Sequence, residues 1–236
     1  MTNFLTYLRI LAVSGFGVFV TWGAQAQSLV VLELFTSQGC PSCPPADSLM
    51  KDWVKRDDVL PLALHVDYWD YIGWKDKFGQ SKFSDRQKSY AVFHKEKSVY
   101  TPQVVINGAA QTQGSKVALI GKLIVDAQVR QDNYGLQLTK MGQNLMIKAR
   151  SPKSFELPMI VQLVRYRLKE EVQIKNGENA NKTITYLNIV TSWETVGQWS
   201  GEAPLSIVTR HDGNDQTAVI LQEQGPSQIL AAARLP

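Results

Sequence analysis

Cys40-Pro41-Ser42-Cys43 stands where a strand-like run gives way to a helix-like one, and no other stretch constrains the chain as tightly. Upstream, Leu29 to Phe35 is almost continuously apolar, the pattern of a strand buried on both faces of a sheet. After a turn at Thr36 to Gly39, the apolar positions Leu49, Met50, Trp53 and Val54 recur at helical spacing until Asp57 and Asp58, which predicts a helix with one buried face. A second apolar run, Leu60 to Val66, follows a brief connection. Strand, helix and strand in that order predict a right-handed parallel crossover.

The chain has two cysteines, and these are the pair. A disulfide acts as a staple by closing a long loop in the unfolded chain, and a spacing of two residues closes almost none. A structural zinc site needs a second C-x-x-C or a histidine pair, which the sequence lacks. Between a strand and a helix the pair reads instead as a thiol–disulfide redox centre. Cys40, near a helix N-terminus, would meet backbone N–H groups that favour its thiolate and is the expected nucleophile; Cys43, one turn further in, is the expected resolving cysteine. Pro44 and Pro45 lack the N–H that a first helical turn donates, so either the helix starts near Pro45 or its first turn is distorted. Two rival readings stand beside this one. With His65 from the neighbouring strand, the cysteines could hold a soft cation such as Cu(I) for binding or delivery. Alternatively, the disulfide is idle and the C-terminal half makes the interactions.

Ser81 to Lys97 and Lys116 to Gln131 read as helices, and Thr101 to Asn107 as a strand opened by Pro102 and closed by the turn Asn107-Gly108. Beyond Asp132 the chain changes to short, often alternating segments separated by polar turns, including a hairpin tip from Asn176-Gly177 to Asn181, which predicts antiparallel β structure. The boundary falls near residues 130–135. Parallel first and second strands must end on the same sheet edge, so Tyr68, Trp69, Tyr71 and Trp74 are expected close to Cys40. Tyr68, Trp69 and Trp74 are candidate substrate-binding residues there.

At the N-terminus, Arg9 precedes an apolar run from Ile10 to Trp22, and Ala24-Gln25-Ala26 fits a cleavage site, so residues 1–26 read as a secretory signal peptide. The protein is expected to be exported, periplasmic or secreted, with no stable membrane span after cleavage. Loss of Arg9 lowers the formal charge from +4 to about +3, too mild an excess to name a partner. No basic run with interleaved aromatics points to nucleic acid, and no organic cofactor is implied.

The strings Leu-Glu-Leu-Phe-Thr-Ser-Gln-Gly-Cys-Pro-Ser-Cys-Pro-Pro-Ala-Asp (32–47) and His-Val-Asp-Tyr-Trp-Asp-Tyr (65–71) resemble the exported bacterial family known as domain of unknown function 1223. That resemblance implies a thioredoxin-like domain with a β-rich extension and brings no established reaction. Tyr100 to Gly108 likewise resembles the element of thioredoxin-like proteins in which a cis proline sits beside the cysteines; it implies that Thr101 and Pro102 position the partner. Thioredoxins also carry a buried acid near the place of Glu33, which implies proton relay to Cys43. The expected architecture is an α/β thioredoxin-like domain at 28–131 followed by a β-rich, sandwich-like domain at 132–236. The expected activity is thiol–disulfide exchange with protein or small-molecule thiols and disulfides.

Overall fold

The computed structural model describes residues 28–130, 132 and 134–235; the expected signal peptide at residues 1–26 lies outside them. The chain runs β1 (Val30–Thr36), α1 (Pro44–Trp53), β2 (Val59–His65), α2 (Ser81–Phe93), β3 (Gln103–Ile106), β4 (Ala110–Gln113) and α3 (Val117–Val129). It continues through β5 (Gln137–Met141), β6 (Asn144–Ala149), β7 (Met159–Gln173), β8 (Thr183–Trp199), β9 (Leu205–Arg210), β10 (Gln216–Gln222) and β11 (Ile229–Arg234). Strands β1 and β2 are buried along their whole length and pair in parallel, as continuous apolar runs require.

The larger sheet has eight strands in the order β11-β10-β7-β8-β2-β1-β3-β4. This overturns the expected architecture of a thioredoxin-like α/β domain followed by a separate β-rich domain. The structure is predominantly strand, and β7, β8, β10 and β11 extend the same sheet that carries β1 to β4. Under α2, one core cluster joins Val31, Phe35, Leu62 and Tyr90 to Val164, Val190, Ile220 and Ala232. Apolar side chains from both sides of residue 132 therefore leave water together, which two self-contained cores would not do. Where short segments were expected beyond Asp132, β7 is one strand of 15 residues and β8 has 17. Bulges at Val161/Gln162 and Arg165/Tyr166 bend this long antiparallel pair.

Between the two halves of the sheet, β2 and β8 pair through one bridge, Ala63 opposite Ile189, and β11 adds the bonds from Leu29 N–H to the Ala232 carbonyl and from Ile229 N–H to the Asn107 carbonyl. Pro61, two residues before Ala63, has no N–H to give a neighbour, and its carbonyl accepts the side-chain amide of Asn188, which is held at φ +47°, at 2.8 Å. On the face of the sheet opposite α2, α1 and α3 cover Val30, Leu32, Leu34, Val104 and Ile106. A separate three-stranded sheet, β5-β6-β9, packs its Leu145 and Ile147 against Val161, Leu163, Val219 and Leu221. Among the described residues, no helix is long and apolar enough to cross a membrane.

Candidate functional site

At the end of β1 the chain leaves the sheet through Ser37-Gln38-Gly39. Cys40 and Cys43 form a disulfide with their Cα atoms 5.4 Å apart. The Cys40 N–H donates to the Ser37 carbonyl and the Cys43 N–H to the Cys40 carbonyl. Cys43 is the N-cap of α1, so Pro44 and Pro45 take the first two helical positions, where a missing N–H costs nothing. Of the two arrangements the prolines allowed, the cysteines therefore lie in the turn before the helix. Cys40 stands four residues ahead of Pro44, and the simple argument from the helix dipole does not reach it. Both cysteines are 0% exposed, whereas Pro41 and Ser42 between them face solvent.

Thr101 and Pro102 come to this turn from the start of β3. Their peptide bond is cis, as the resemblance implied. The Ser42 hydroxyl lies 3.4 Å from the Cys40 sulfur and donates to the Thr101 carbonyl at 3.3 Å. Pro102 is wedged against the first turn of α1: a Cβ at Gly114 would stand 2.8 Å from the Ala46 Cβ and 3.0 Å from the Pro102 Cβ, so only glycine fits. Of the aromatic candidates, Trp69 donates its indole N–H to the Thr101 hydroxyl at 2.7 Å and Trp74 donates to Gln38 Oε1 at 2.9 Å. Tyr68 donates to Gln87 Oε1 at 3.1 Å, and its hydroxyl also meets the Thr101 side chain. Gln87 in turn donates to the Tyr100 carbonyl and to Gln103 Oε1, bracketing Thr101 and Pro102.

Glu33 is not brought to the cysteines. Side chains alternate across a strand, and Glu33 projects from β1 on the α2 face with Val31 and Phe35, whereas α1 covers the other face. There Arg86 grips it with two hydrogen bonds of 2.6 and 2.9 Å, Tyr90 donates to it at 2.6 Å, and the guanidinium lies 3.9 Å from the Trp193 ring centroid. Glu33 is the anion of a buried ion pair.

A different carboxylate lies on the side of the cysteines. Asp47 is one turn after Cys43 on α1, its N–H donating to the Cys43 carbonyl at 3.0 Å. Residues four apart on a helix share a face. Asp47 Oδ1 accepts the Thr36 hydroxyl at 2.8 Å and Oδ2 is buried without a partner. Burial pushes the Asp47 carboxyl up to about 7, against the opposing pull of His65. His65, at the end of β2, shares a 2.7 Å hydrogen bond between Nδ1 and Asp76 Oδ2 and packs edge-on against Phe78 and Tyr186. Burial works against a charged imidazole there, but the carboxylates of Asp76 and Asp47 outweigh it and raise the His65 pKa. Burial likewise works against the Asp76 carboxylate; His65 and the N–H groups of Gln38 and Phe78 overcome it and hold Asp76 below its ordinary value. The unpartnered Gln38 Nε2, His65 Nε2 and Tyr186 hydroxyl belong to these same residues, so the pocket of polar groups behind the disulfide is incompletely paired. Among the described residues, no group of three or more His, Cys, Asp or Glu side chains is placed to hold a metal ion.

Sequence reasoning missed Asp47, Asp76 and Asn179. Asp47 carried a readable signal, being three residues before Met50 on the buried stripe of α1. Asp76 lies in the polar and aromatic loop after β2 with no local pattern to mark it as buried, yet it is 2% exposed. Asn179 comes from the β7–β8 hairpin tip and donates both amide hydrogens, to the Gln38 carbonyl at 2.9 Å and the Cys40 carbonyl at 2.8 Å.

The sequence profile described as "Protein of unknown function (DUF1223)" matches residues 31–222. Protein AGR_C_4864 from Agrobacterium tumefaciens, known from its X-ray crystal structure, superimposes with a TM-score of 0.76 at 29% identity, over 89% of this chain and 96% of that one. HBP35 of Porphyromonas gingivalis superimposes with a TM-score of 0.61 over 89% of this chain and 75% of that one; at 11% identity the likeness is of fold alone. No curated protein matches the chain.

Proposed function

Because the chain belongs to the family of unknown function DUF1223, whose description names no reaction, we propose its activity from its own residues: thiol–disulfide exchange with protein or small-molecule thiols, carried by Cys40 and Cys43. The observation behind this reading is the disulfide itself, closed across a two-residue turn between β1 and α1 and flanked by Thr101 and Pro102. Such a pair holds no long loop together, so its use lies in opening and closing. An exported location, expected from residues 1–26, supplies surroundings in which a disulfide persists.

In the reduced protein, the Cys40 thiolate attacks a sulfur of the partner disulfide. A mixed disulfide forms, the partner S–S bond breaks, and the first partner sulfur leaves as a thiolate that takes a proton from water. The Cys43 thiolate then attacks the Cys40 sulfur, closes the internal disulfide and expels the second partner thiolate. Two electrons pass from the cysteines to the partner, and the same steps reversed oxidise a dithiol. Cys40 is the outer sulfur in this scheme, beside the exposed Pro41-Ser42 and the Thr101 carbonyl. Thr101, Pro102, Trp69 and Trp74 shape the approach, and Tyr68 braces Thr101 and Gln87. Asp47 takes the role that the resemblance implied for Glu33: with an affinity for protons near neutrality it accepts the Cys43 proton as the inner thiolate forms.

Equilibration with glutathione buffers, read by alkylation and mass spectrometry, tests the reading. The pair is expected to interconvert between dithiol and disulfide; Cys43→Ser is expected to accumulate a mixed disulfide on Cys40, and Cys40→Ser to form none. A pair that stays oxidised at every glutathione ratio would sink the proposal. So would stoichiometric Cu(I) binding by the reduced protein that His65→Ala abolishes.

A further inference from the structure

The turn that carries Cys40 is bonded by a distant part of the chain, the tip between β7 and β8, through Asn179. The tip between β7 and β8 is held at its base by the Ile174 N–H on the Lys182 carbonyl and the Asn181 N–H on the Ile174 carbonyl. Residues 175–178 of the tip are exposed, as hairpin tips generally are. Asn179 is the exception at 1% exposure, and its partners lie about 140 positions away in sequence. An asparagine at a tip satisfies its amide equally well with water, so the turn geometry alone does not account for this burial. Lys182 completes the arrangement by donating to Asn179 Oδ1 at 2.9 Å. The tip also rests on the aromatic segment: a Cβ at Gly177, where φ is +77°, would stand 3.2 Å from both the Ile72 carbonyl oxygen and the Trp74 Cβ.

The turn bearing Cys40 is thus held from two directions, by Trp74 and Asp76 on Gln38 and by Asn179 on the Gln38 and Cys40 carbonyls. Exchange requires a sulfur of the partner to approach in line with the S–S bond, yet neither cysteine presents any surface. Something has to move first. The tip can do so: its residues 175–178 are exposed, its base is a two-stranded pair, and its hydrogen bonds to the turn come from one side chain.

We propose that the β7–β8 hairpin tip is a gate on the disulfide, latched by Asn179, and that Cys40 and Cys43 react only from the minor population in which Asn179 has released the Cys40 carbonyl. Asn179 is a positioning residue, since it touches the backbone of the reacting cysteine and not its sulfur. The inference rests on this pair being the one that reacts, and needs no knowledge of the natural partner.

Gating has a kinetic signature. When opening precedes attack, the rate of disulfide reduction levels off as reductant increases, at the opening rate; an ungated disulfide gives a straight line. The oxidised full chain is mixed with increasing concentrations of a water-soluble phosphine, and released thiols are counted. The wild-type rate is expected to saturate. Asn179→Ala is expected to raise the plateau or the initial slope by about tenfold, the change that losing one or two ordinary hydrogen bonds supplies. Gly177→Ala keeps Asn179 and pushes the tip off Trp74, and is expected to act in the same direction. The inference is overturned if reduction is linear with the same slope in all three proteins while hydrogen exchange shows faster opening of the hairpin amides in the variants. If the phosphine series behaves as expected but no glutathione ratio opens the pair, the exchange activity fails and the gate stands.

Discussion

Replacing Arg86 by methionine is expected to lower the free energy of unfolding by about 3–5 kcal/mol, a large share of the 5–15 kcal/mol that holds an ordinary domain together. The reason lies in what is left behind. The Glu33 side chain is fully buried and the Arg86 side chain is 10% exposed, with a closest approach of 2.6 Å. Without the guanidinium, a carboxylate in the middle of β1 would keep only the Tyr90 hydroxyl as a donor. Removing both charges together, as in Glu33→Leu with Arg86→Met, is expected to restore much of the loss, because two apolar residues replace two costly desolvations. Urea unfolding of the three proteins at one pH measures this. A loss below about 1 kcal/mol for the single variant would mean that water reaches Glu33 and that the pair is not the anchor between β1, α2 and β10 that its contacts with Tyr90 and Gln222 suggest.

Stability is expected to fall as the solution goes from weakly acidic to neutral, and Asp47 to be the main cause. In the unfolded chain this carboxyl titrates at the ordinary 3.8, whereas in the folded protein burial raises it to about 7. Between these values the folded state keeps a proton that the unfolded chain gives up. The resulting stabilisation is complete below about pH 4 and is lost progressively as pH rises to about 7, amounting to at most about 4 kcal/mol at ~1.4 kcal/mol per pH unit. His65 acts in the same direction, since its raised pKa gives stability that is present below its ordinary 6.5 and lost as pH climbs through the folded value. Asp76 opposes both, its lowered pKa giving stability present above 3.8 and lost on acidification. Asp47→Asn keeps an oxygen for the Thr36 hydroxyl and removes the titration, so its stability is expected to be flatter between pH 4 and 7. Urea midpoints taken at unit steps of pH decide the matter: parallel curves for the two proteins would show that Asp47 is not the titrating group.

Much of the neighbourhood of the disulfide was legible in the sequence. Leu29 to Phe35 and Leu60 to Val66 announce strands buried on both faces, the stripe Met50-Trp53 announces a helix, and Thr101-Pro102 a strand start, because each pattern depends only on residues a few positions apart. The hairpin tip at 176–181 was equally local. The roles of the carboxylates were not legible in this way. Glu33 and Asp47 are both acids on apolar stripes, and what separates the ion-paired Glu33 from Asp47, whose carboxyl burial pushes up to about 7, is that Arg86 lies opposite Glu33, 53 residues away.

The sequence by itself determined β1 to β3 and the three helices and put the two cysteines at the turn between the first strand and the first helix. Only the tertiary structure decided that β8 runs beside β2, merging the expected second domain into the same sheet, and that Asn179 reaches the Cys40 carbonyl. The physical reason is the range of each force. Side-chain periodicity reports which face is buried, and it is complete within one element. Strand partners and the burial of a charge or an amide are settled by segments 100 or more residues apart, where apolar faces compete to leave water together and each buried polar group must find its partner.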